Sequence, residues 1–294
     1  MRKQIRAGLV GLLVFCACGG GGPATPKLSK VENSDGSSQI MTFAADKLSS
    51  AKSVDKDGNV TENTYQYTDD RITQVTRKSG DTTVTTTNVY KDKALSLSTT
   101  KSSGTIGSLE FSVTVTTNFT YAEGKLSKQD KGTVTTLKEP ATNTTTEIKS
   151  STTTDYTYNT SGLLQRETET KKSKNVAGND VTEIAITEFA YDSANKLVSA
   201  TSTADSTTNV ATMAYDTSGR LSKITTANGS ATIEYTDNKV SKVISQSGSN
   251  TVTSTYTYDV GNVTGLVPTL SNVFDLAGMI IPMTNTVPFD WMVM

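Results

Sequence analysis

From about Gln39 onward, apolar or β-branched residues alternate with polar ones, and the alternation is broken at short intervals by clusters of Gly, Asn and Asp. A period of two bounded by turn residues predicts β-strands joined by tight turns. The stretch "MAYDTSGRLSKITTA", Met213 to Ala227, shows the unit. Thr212 to Tyr215 alternates as a half-buried strand. Asp216-Thr217-Ser218-Gly219 supplies a four- or five-residue turn, because Asp bonds its own backbone two residues on and Gly accepts positive φ. Arg220-Leu221 restarts a strand and returns Leu221 to the face of Tyr215. Such a cross-strand aromatic–aliphatic pair contributes roughly 0.2–1 kcal/mol.

The unit recurs in imperfect copies: "MTFAADKLSSAKS", "YQYTDDRITQVTR", "NVYKDKALSLSTT", "FTYAEGKLSKQDK", "YTYNTSGLLQRET", "FAYDSANKLVSAT", "IEYTDNKVSKVIS" and "YTYDVGNVTGLVP". The aligned aromatics are Phe43, Tyr67, Tyr90, Tyr121, Tyr158, Tyr191, Tyr215, Tyr235 and Tyr258. Their spacing runs from 20 residues (Tyr215 to Tyr235) to 37 (Tyr121 to Tyr158). That is one hairpin plus a return turn, with longer strands or loops where the spacing is large. Return turns are marked by Asp57-Gly58-Asn59, Ser79-Gly80-Asp81, Asn228-Gly229 and Ser247-Gly248-Ser249-Asn250. Val181 to Ala190 is the nearest approach to a helical pattern, but its Ile and Thr content favours a strand. The expected fold is therefore all-β, an antiparallel meander of about nine hairpins in one curved, partly closed sheet. A half-barrel and a split into a sandwich are both open to such a sheet.

The Tyr-Asp…Gly-Arg-Leu unit resembles the YD repeat of Rhs-type proteins. With its N-terminal leader, the chain resembles YD-repeat bacterial lipoproteins and a related domain family of unknown function with a porin-like β fold. The resemblance covers Gln39 to about Leu266 and is best at Tyr191-Asp192, Tyr215-Asp216, Gly219-Arg220-Leu221 and Tyr258-Asp259. It departs at Asn159 and Ala122 for the Asp, and at Asn195 and Asn238 for the turn Gly. It implies an architecture and says little about activity.

"MRKQIRAGLVGLLVFCAC" has basic residues, an apolar run from Ala7 to Phe15 and then small residues at a Cys. This predicts a secretory leader over residues 1–17, too short to span a bilayer stably, with lipidation at Cys18 in a pattern that resembles a bacterial lipobox. An ordinary secretory signal is the alternative. Residues 18–38, rich in Gly, Ser and Pro, read as a flexible tether. Gly19 after the anchor points to the outer membrane by the enterobacterial sorting rule. Residues 39–264 form the repeat domain. The segment 265–294 differs in kind: it carries the single Trp, four of the seven Met and three of the six Pro, with no Lys or Arg. It reads as an apolar cap anchored by Phe274, Phe289 and Trp291, or as a lip or plug that meets a partner or the membrane surface.

Without residues 1–17 the chain has 28 − 3 = 25 basic against 29 acidic residues, a net charge of about −4, which is no footprint for nucleic acid. Thr, Ser and Lys occur on both alternating faces, which argues against a lipid-spanning porin. There is no His, and the two cysteines are Cys16 and Cys18. Triads, His-ligated metals, disulfides and thiol chemistry are therefore not expected in the mature chain, nor is any cofactor. "DKDGN" at 55–59 is a hairpin turn, since Gly58 comes too early for a calcium loop. Asp69 and Asp70 read as turn caps, although a carboxylate-only hydrolase stays formally open. The leading expectation is a non-catalytic, membrane-anchored envelope or surface protein. The repeated tyrosines, with Tyr67, Tyr158, Tyr191, Tyr215, Tyr235 and Tyr258 clearest, pack the sheet or, where exposed, present a carbohydrate- or peptide-binding surface. A periplasmic scaffold is the alternative role.

Overall fold

The computed structural model describes residues 27–44, 47–174 and 178–259. They form eighteen strands: β1 (Lys27–Asn33), β2 (Ser38–Ala44), β3 (Lys47–Val54), β4 (Val60–Thr68), β5 (Arg71–Ser79), β6 (Thr82–Lys91), β7 (Ala94–Ile106), β8 (Leu109–Ala122) and β9 (Lys125–Glu139). Then follow β10 (Thr144–Tyr158), β11 (Leu164–Lys174), β12 (Asp180–Tyr191), β13 (Leu197–Ala204), β14 (Thr207–Tyr215), β15 (Leu221–Thr226), β16 (Gly229–Thr236), β17 (Lys239–Ser247) and β18 (Asn250–Asp259). Val181 to Ala190 lies in β12, as its β-branched content predicted. Each strand pairs antiparallel with the next, so the meander is as expected.

The sheet does not stop at a half-barrel. β1 pairs with β2 on one side and β18 on the other, and the 18-stranded sheet closes on itself. Closure removes both exposed edges, which an open sheet would have to protect. Two expectations are corrected here. The far part of the expected tether, Lys27–Asn33, is a strand. The ninth aromatic, Tyr258, pairs with Leu28 rather than with the sequence that follows it, which lies outside the described residues. Eight hairpins are thus continuous in sequence, and the ninth is assembled from the two ends of the described chain.

The two rims differ. Every even-numbered strand ends, and every odd-numbered strand begins, at the rim that carries the repeat aromatics. The opposite rim rises and falls with strand length, from 6 residues in β15 to 15 in β9 and β10.

One face of the sheet is packed. Around the aromatic rim its register pairs are Phe43–Leu48, Tyr67–Ile72, Tyr90–Leu95, Tyr121–Leu126, Tyr158–Leu164, Tyr191–Leu197, Tyr215–Leu221, Tyr235–Val240 and Tyr258–Leu28. Aromatic and aliphatic side chains therefore alternate over all eighteen strands. A second row lies behind them, including Met41, Ala51, Phe119, Tyr156, Phe189, Ala200, Ile224 and Val243, all buried. Buried polar side chains interrupt this row at Asn88, Gln129 and Glu167. Asn88 donates to the Ile72 carbonyl at 3.1 Å, and the Tyr156 hydroxyl donates to Gln129 Oε1 at 2.9 Å. Farther from the rim the packed face turns polar, and Lys171 pairs with Glu183 at 2.7 Å. The other face is rich in Thr and carries in-register ion pairs, Lys138–Glu110 at 3.5 Å and Lys242–Glu234 at 3.6 Å.

Candidate functional site: the tyrosine rim

Each hairpin is built the same way. A register shift sits beside the aromatic, for example between Ala214 and Tyr215. The extra residue follows the aliphatic residue of the unit; it is Gln165 and Val198 in two hairpins and Ser or Thr in the others, where its hydroxyl satisfies the carbonyl beside the bulge. Ser49 donates to Thr42 O at 3.0 Å, Ser96 to Val89 O at 3.0 Å, Ser127 to Thr120 O at 3.1 Å, Ser222 to Ala214 O at 3.1 Å and Ser241 to Glu234 O at 3.2 Å. Ser29 makes the same bond to Thr257 O at 3.3 Å, which marks β1 as the second half of the ninth repeat. A bulge of this kind increases local twist and bends the strand, as a closing sheet requires.

The turns come in two lengths. At Asn159, Asp192 and Asp216 the loop has the expected form. Asp216 Oδ1 accepts from the amides of Arg220 at 2.8 Å and Ser218 at 3.0 Å, while Oδ2 accepts from Arg220 Nε at 2.8 Å. The Arg220 amide, then its guanidinium, holds the Asp216 carboxyl below the usual carboxylate range. Gly219 has φ 78° and Asn195 φ 63°, so Asn replaces Gly in the left-handed position. Elsewhere the loop is shorter than expected. Asp92-Lys93, Glu123-Gly124 and Asp237-Asn238 are two-residue turns with positive φ at both positions. The apparent loss of Asp at Ala122 follows, because that residue ends a strand and the turn begins one position later. Asp69 also has positive φ, and Asp70 pairs with Lys47 at 3.0 Å. Asp55 Oδ1 is taken up by the amides of Asp57 and Asn59, so 55–59 is a turn, as read.

The contacts between repeats were not legible in the unit. Seven of the phenols reach back to the hairpin before them and donate to the carbonyl of that hairpin's aliphatic partner, among them Tyr90 to Ile72 O at 3.0 Å. Tyr67 bonds Leu48 O at 3.0 Å, Tyr158 bonds Leu126 O at 2.8 Å and Tyr191 bonds Leu164 O at 2.9 Å. Tyr215 bonds Leu197 O, Tyr235 bonds Leu221 O and Tyr258 bonds Val240 O, each at 2.8 Å. Where a Lys or Arg precedes that aliphatic residue it lies over the same ring, whereas Leu163 precedes Leu164 and Ala94 precedes Leu95. Lys47 sits 5.4 Å from the Tyr67 centroid, Lys125 5.2 Å from Tyr158, Lys196 5.1 Å from Tyr215, Arg220 4.4 Å from Tyr235 and Lys239 5.8 Å from Tyr258. Gly219 serves this arrangement twice, because a Cβ there would fall 2.5 Å from Lys196 Nζ.

Burial first, then neighbouring phenols, pushes Tyr191 and Tyr258 up to about 12. At neutral pH these hydroxyls are donors committed to backbone carbonyls. Tyr67, Tyr158, Tyr191, Tyr215, Tyr235 and Tyr258 bond from hairpin to hairpin along this rim, and Asp216, Gly219 and Leu221 lie at one of its turns. Cys18 and the segment 265–294 lie outside the described residues. Among the described residues no group of three His, Cys, Asp or Glu side chains is placed to hold a metal ion. Two shallow, open depressions lie on the sheet, one lined by Thr157, Arg166, Thr168 and Glu188, the other by Thr83, Thr85, Lys101 and Thr114.

Residues 191–231 match the RHS Repeat family model. Two solved structures are similar to the chain. One is a porin-like protein from Bacteroides vulgatus ATCC 8482, at 9% identity and TM-score 0.45, covering 79% of this chain and 99% of that one. The other is a porin-like protein from Bacteroides uniformis ATCC 8492, at 14% identity and TM-score 0.35, covering 81% and 99%. No curated protein matches the chain. The RHS match spans the sixth repeat through most of the seventh, where the long Asp-capped turns occur.

Proposed function

We propose that the chain is an exported, non-catalytic envelope protein, lipidated at Cys18 and held at the outer membrane. Its barrel is a water-facing shell that presents a hydroxyl-rich sheet to a carbohydrate or protein ligand. The observation that carries this reading is the placement of charge. A strand that crosses lipid needs an apolar band about 25 Å tall on one face. Here the Thr-rich face carries Lys242–Glu234 and Lys138–Glu110, and the packed face turns polar beyond its two apolar rows, at Lys171–Glu183. Shape alone does not make a pore.

Protease treatment of intact cells, with a Cys18→Ala strain beside the wild type, tests the reading. Cleavage of the barrel on intact cells, with loss of membrane association in the variant, is the expected result and directs the search to external ligands. Protection until the outer envelope is opened supports a periplasmic scaffold instead. Unchanged fractionation of Cys18→Ala rules out the lipid anchor.

A further inference from the structure

The nine repeats are copies of one unit, so each serves as a control for the others. Three residues after the aliphatic partner, on the packed face, six repeats carry Val31, Ala51, Val75, Ala200, Ile224 and Val243. The third, fourth and fifth repeats carry Ser98, Gln129 and Glu167 there instead. Gln129 is 4% and Glu167 2% exposed. Burying a polar side chain where an apolar one suffices costs stability, and a sequence that breaks its own pattern in this way does so at functional sites. Asn88 in the same sector adds to that cost. Its Nδ2 donates to Ile72 O, whereas its Oδ1 is buried without a partner.

The same repeats supply the longest strands. In the ring order β8, β9 and β10 stand half a turn from β17, β18 and β1. Their lengths are 14, 15 and 15 residues against 9, 10 and 7. Measured from the tyrosine rim, the barrel is a cup with a tall wall opposite a low one. The largest difference, 15 − 7 = 8 residues, is about 26 Å of strand. Every buried side chain among the described residues lies on the packed face. That face is therefore the concave, inward one, because side chains of a closed sheet converge only on its inner side. On the tall wall the inner face is buried near the tyrosine rim and open beyond it. A continuous register line of polar residues crosses it: Ser98, Thr117, Lys131, Thr152, Lys171 and Glu183. Lys131 is exposed, and Glu169, on the same face of β11 as Lys171, is half-buried. Neither side chain makes a hydrogen bond or ion pair to another described residue. Farther out, the half-buried Phe111 lies against Gly104, where a Cβ would come 3.0 Å from its ring.

We propose that the inner face of the tall wall, from β7 to β12, binds a neutral oligosaccharide, with Lys131 as donor, Glu169 as acceptor and Phe111 as the apolar contact. The proposal rests on the carbohydrate reading of the shell and moves the site from the Thr-rich face to the inner one. Charge selects the ligand class. The ionic side chains on this inner face are Lys131 and Lys171 against Glu139, Glu167, Glu169 and Glu183, a net of 2 − 4 = −2. A polyanion would meet four carboxylates, and a polycation two ammonium groups. A neutral polyol uses donor and acceptor alike and brings no charge to desolvate. A pyranose also has apolar C–H faces, which suit an aromatic ring set among a few polar groups.

The test uses the chain from residue 18 with Cys18→Ala, so that no detergent is needed. It is titrated calorimetrically with maltohexaose, cellohexaose, xylohexaose and, as the charged comparison, a heparin hexasaccharide. The expected result is binding of at least one neutral sugar and none of the heparin fragment. Lys131→Gln and Glu169→Gln should each weaken that binding about tenfold. Their urea midpoints should stay at the wild-type value, since neither side chain has a partner in the fold. Phe111→Leu, which keeps an apolar contact on Gly104, should weaken binding as well. Wild-type affinity in both Lys131→Gln and Glu169→Gln overturns the inner site. If binding is lost instead in a Thr85→Val, Thr114→Val double variant of the Thr-rich face, the carbohydrate reading of the shell stands without it. Preference for the heparin fragment overturns the neutral ligand class. Failure of all four sugars to bind overturns the proposal and the carbohydrate reading together, and leaves the envelope location to the Cys18→Ala fractionation.

Discussion

The seam gives the sharpest test of the fold. Leu28 is 4% exposed and lies against Met41, Leu48 and Ala51, with Val31, Phe43, Tyr256 and Tyr258 around it. Leu28→Ala removes three carbons, roughly 2.4 kcal/mol at about 0.8 kcal/mol per buried methylene. The cavity term brings a buried Leu→Ala change to about 2–5 kcal/mol. Leu28 is next to a rim where neighbours can relax, so the lower half of that range is expected. At a urea slope of roughly 2–3 kcal/mol per molar, the unfolding midpoint should fall by about 1 M. Amide exchange should rise first in β18 and β2, the two strands that β1 joins. Leu28→Met, which conserves volume, should cost less than about 1.5 kcal/mol. If 27–33 were part of a flexible tether, Leu28→Ala would leave both the midpoint and the exchange of β18 unchanged. That result would refute closure.

Tyr215→Phe deletes the bond to Leu197 O at 2.8 Å and should cost about 0.5–1.5 kcal/mol by denaturant titration. Gly219→Ala should cost about 1 kcal/mol or more in the same assay, for the left-handed φ and the displaced Lys196, and Gly219→Asn less. Raising the pH should destabilise the rim. The phenols of Tyr191 and Tyr258 have a folded value of about 12 against 10.0 unfolded, so their contribution is intact below pH 10 and lost as pH rises toward 12. Melting curves at pH 9 and 11.5 should differ, and Tyr258→Phe should narrow the difference.

What the sequence made legible was local. Tyr215, Asp216, Gly219 and Leu221 fall within a few residues of one another, and their contacts close inside one hairpin. The bonds between hairpins were not legible, because Tyr215 OH and Leu197 O belong to different copies of the unit. The base was a visible signal without a visible target. It is Lys or Arg at 47, 71, 125, 196, 220 and 239, and at each a cation lies over the next repeat's ring. Closure was masked differently. "KLSK" at 27–30 repeats "KLSK" at 125–128, but it stands in a Gly-, Ser- and Pro-rich stretch with no aromatic of its own. Its Tyr lies at the other end of the described chain. Composition spoke for a tether there, and the pairing of β1 on both sides overrode it.

Closure also changes how the repeats share stability. An open array coupled only between neighbours frays from its ends, because an end unit has one interface instead of two. In this ring β1 has an interface with β18 and another with β2, so no repeat is terminal. The Tyr258–Leu28 pair that joins them spans nearly the whole described chain, and such long-range pairings carry the largest loop-closure entropy. Local hairpins from β2 to β17 should therefore form first and β1 should dock last. Opening should begin where closing ended. A chain in which Gly-rich sequence links 259 to 27, with new ends at a far-rim turn such as 140–143, keeps every strand pair and makes the seam local. It should fold faster than the native order with the barrel unchanged; equal folding rates would show that the seam is not the last step.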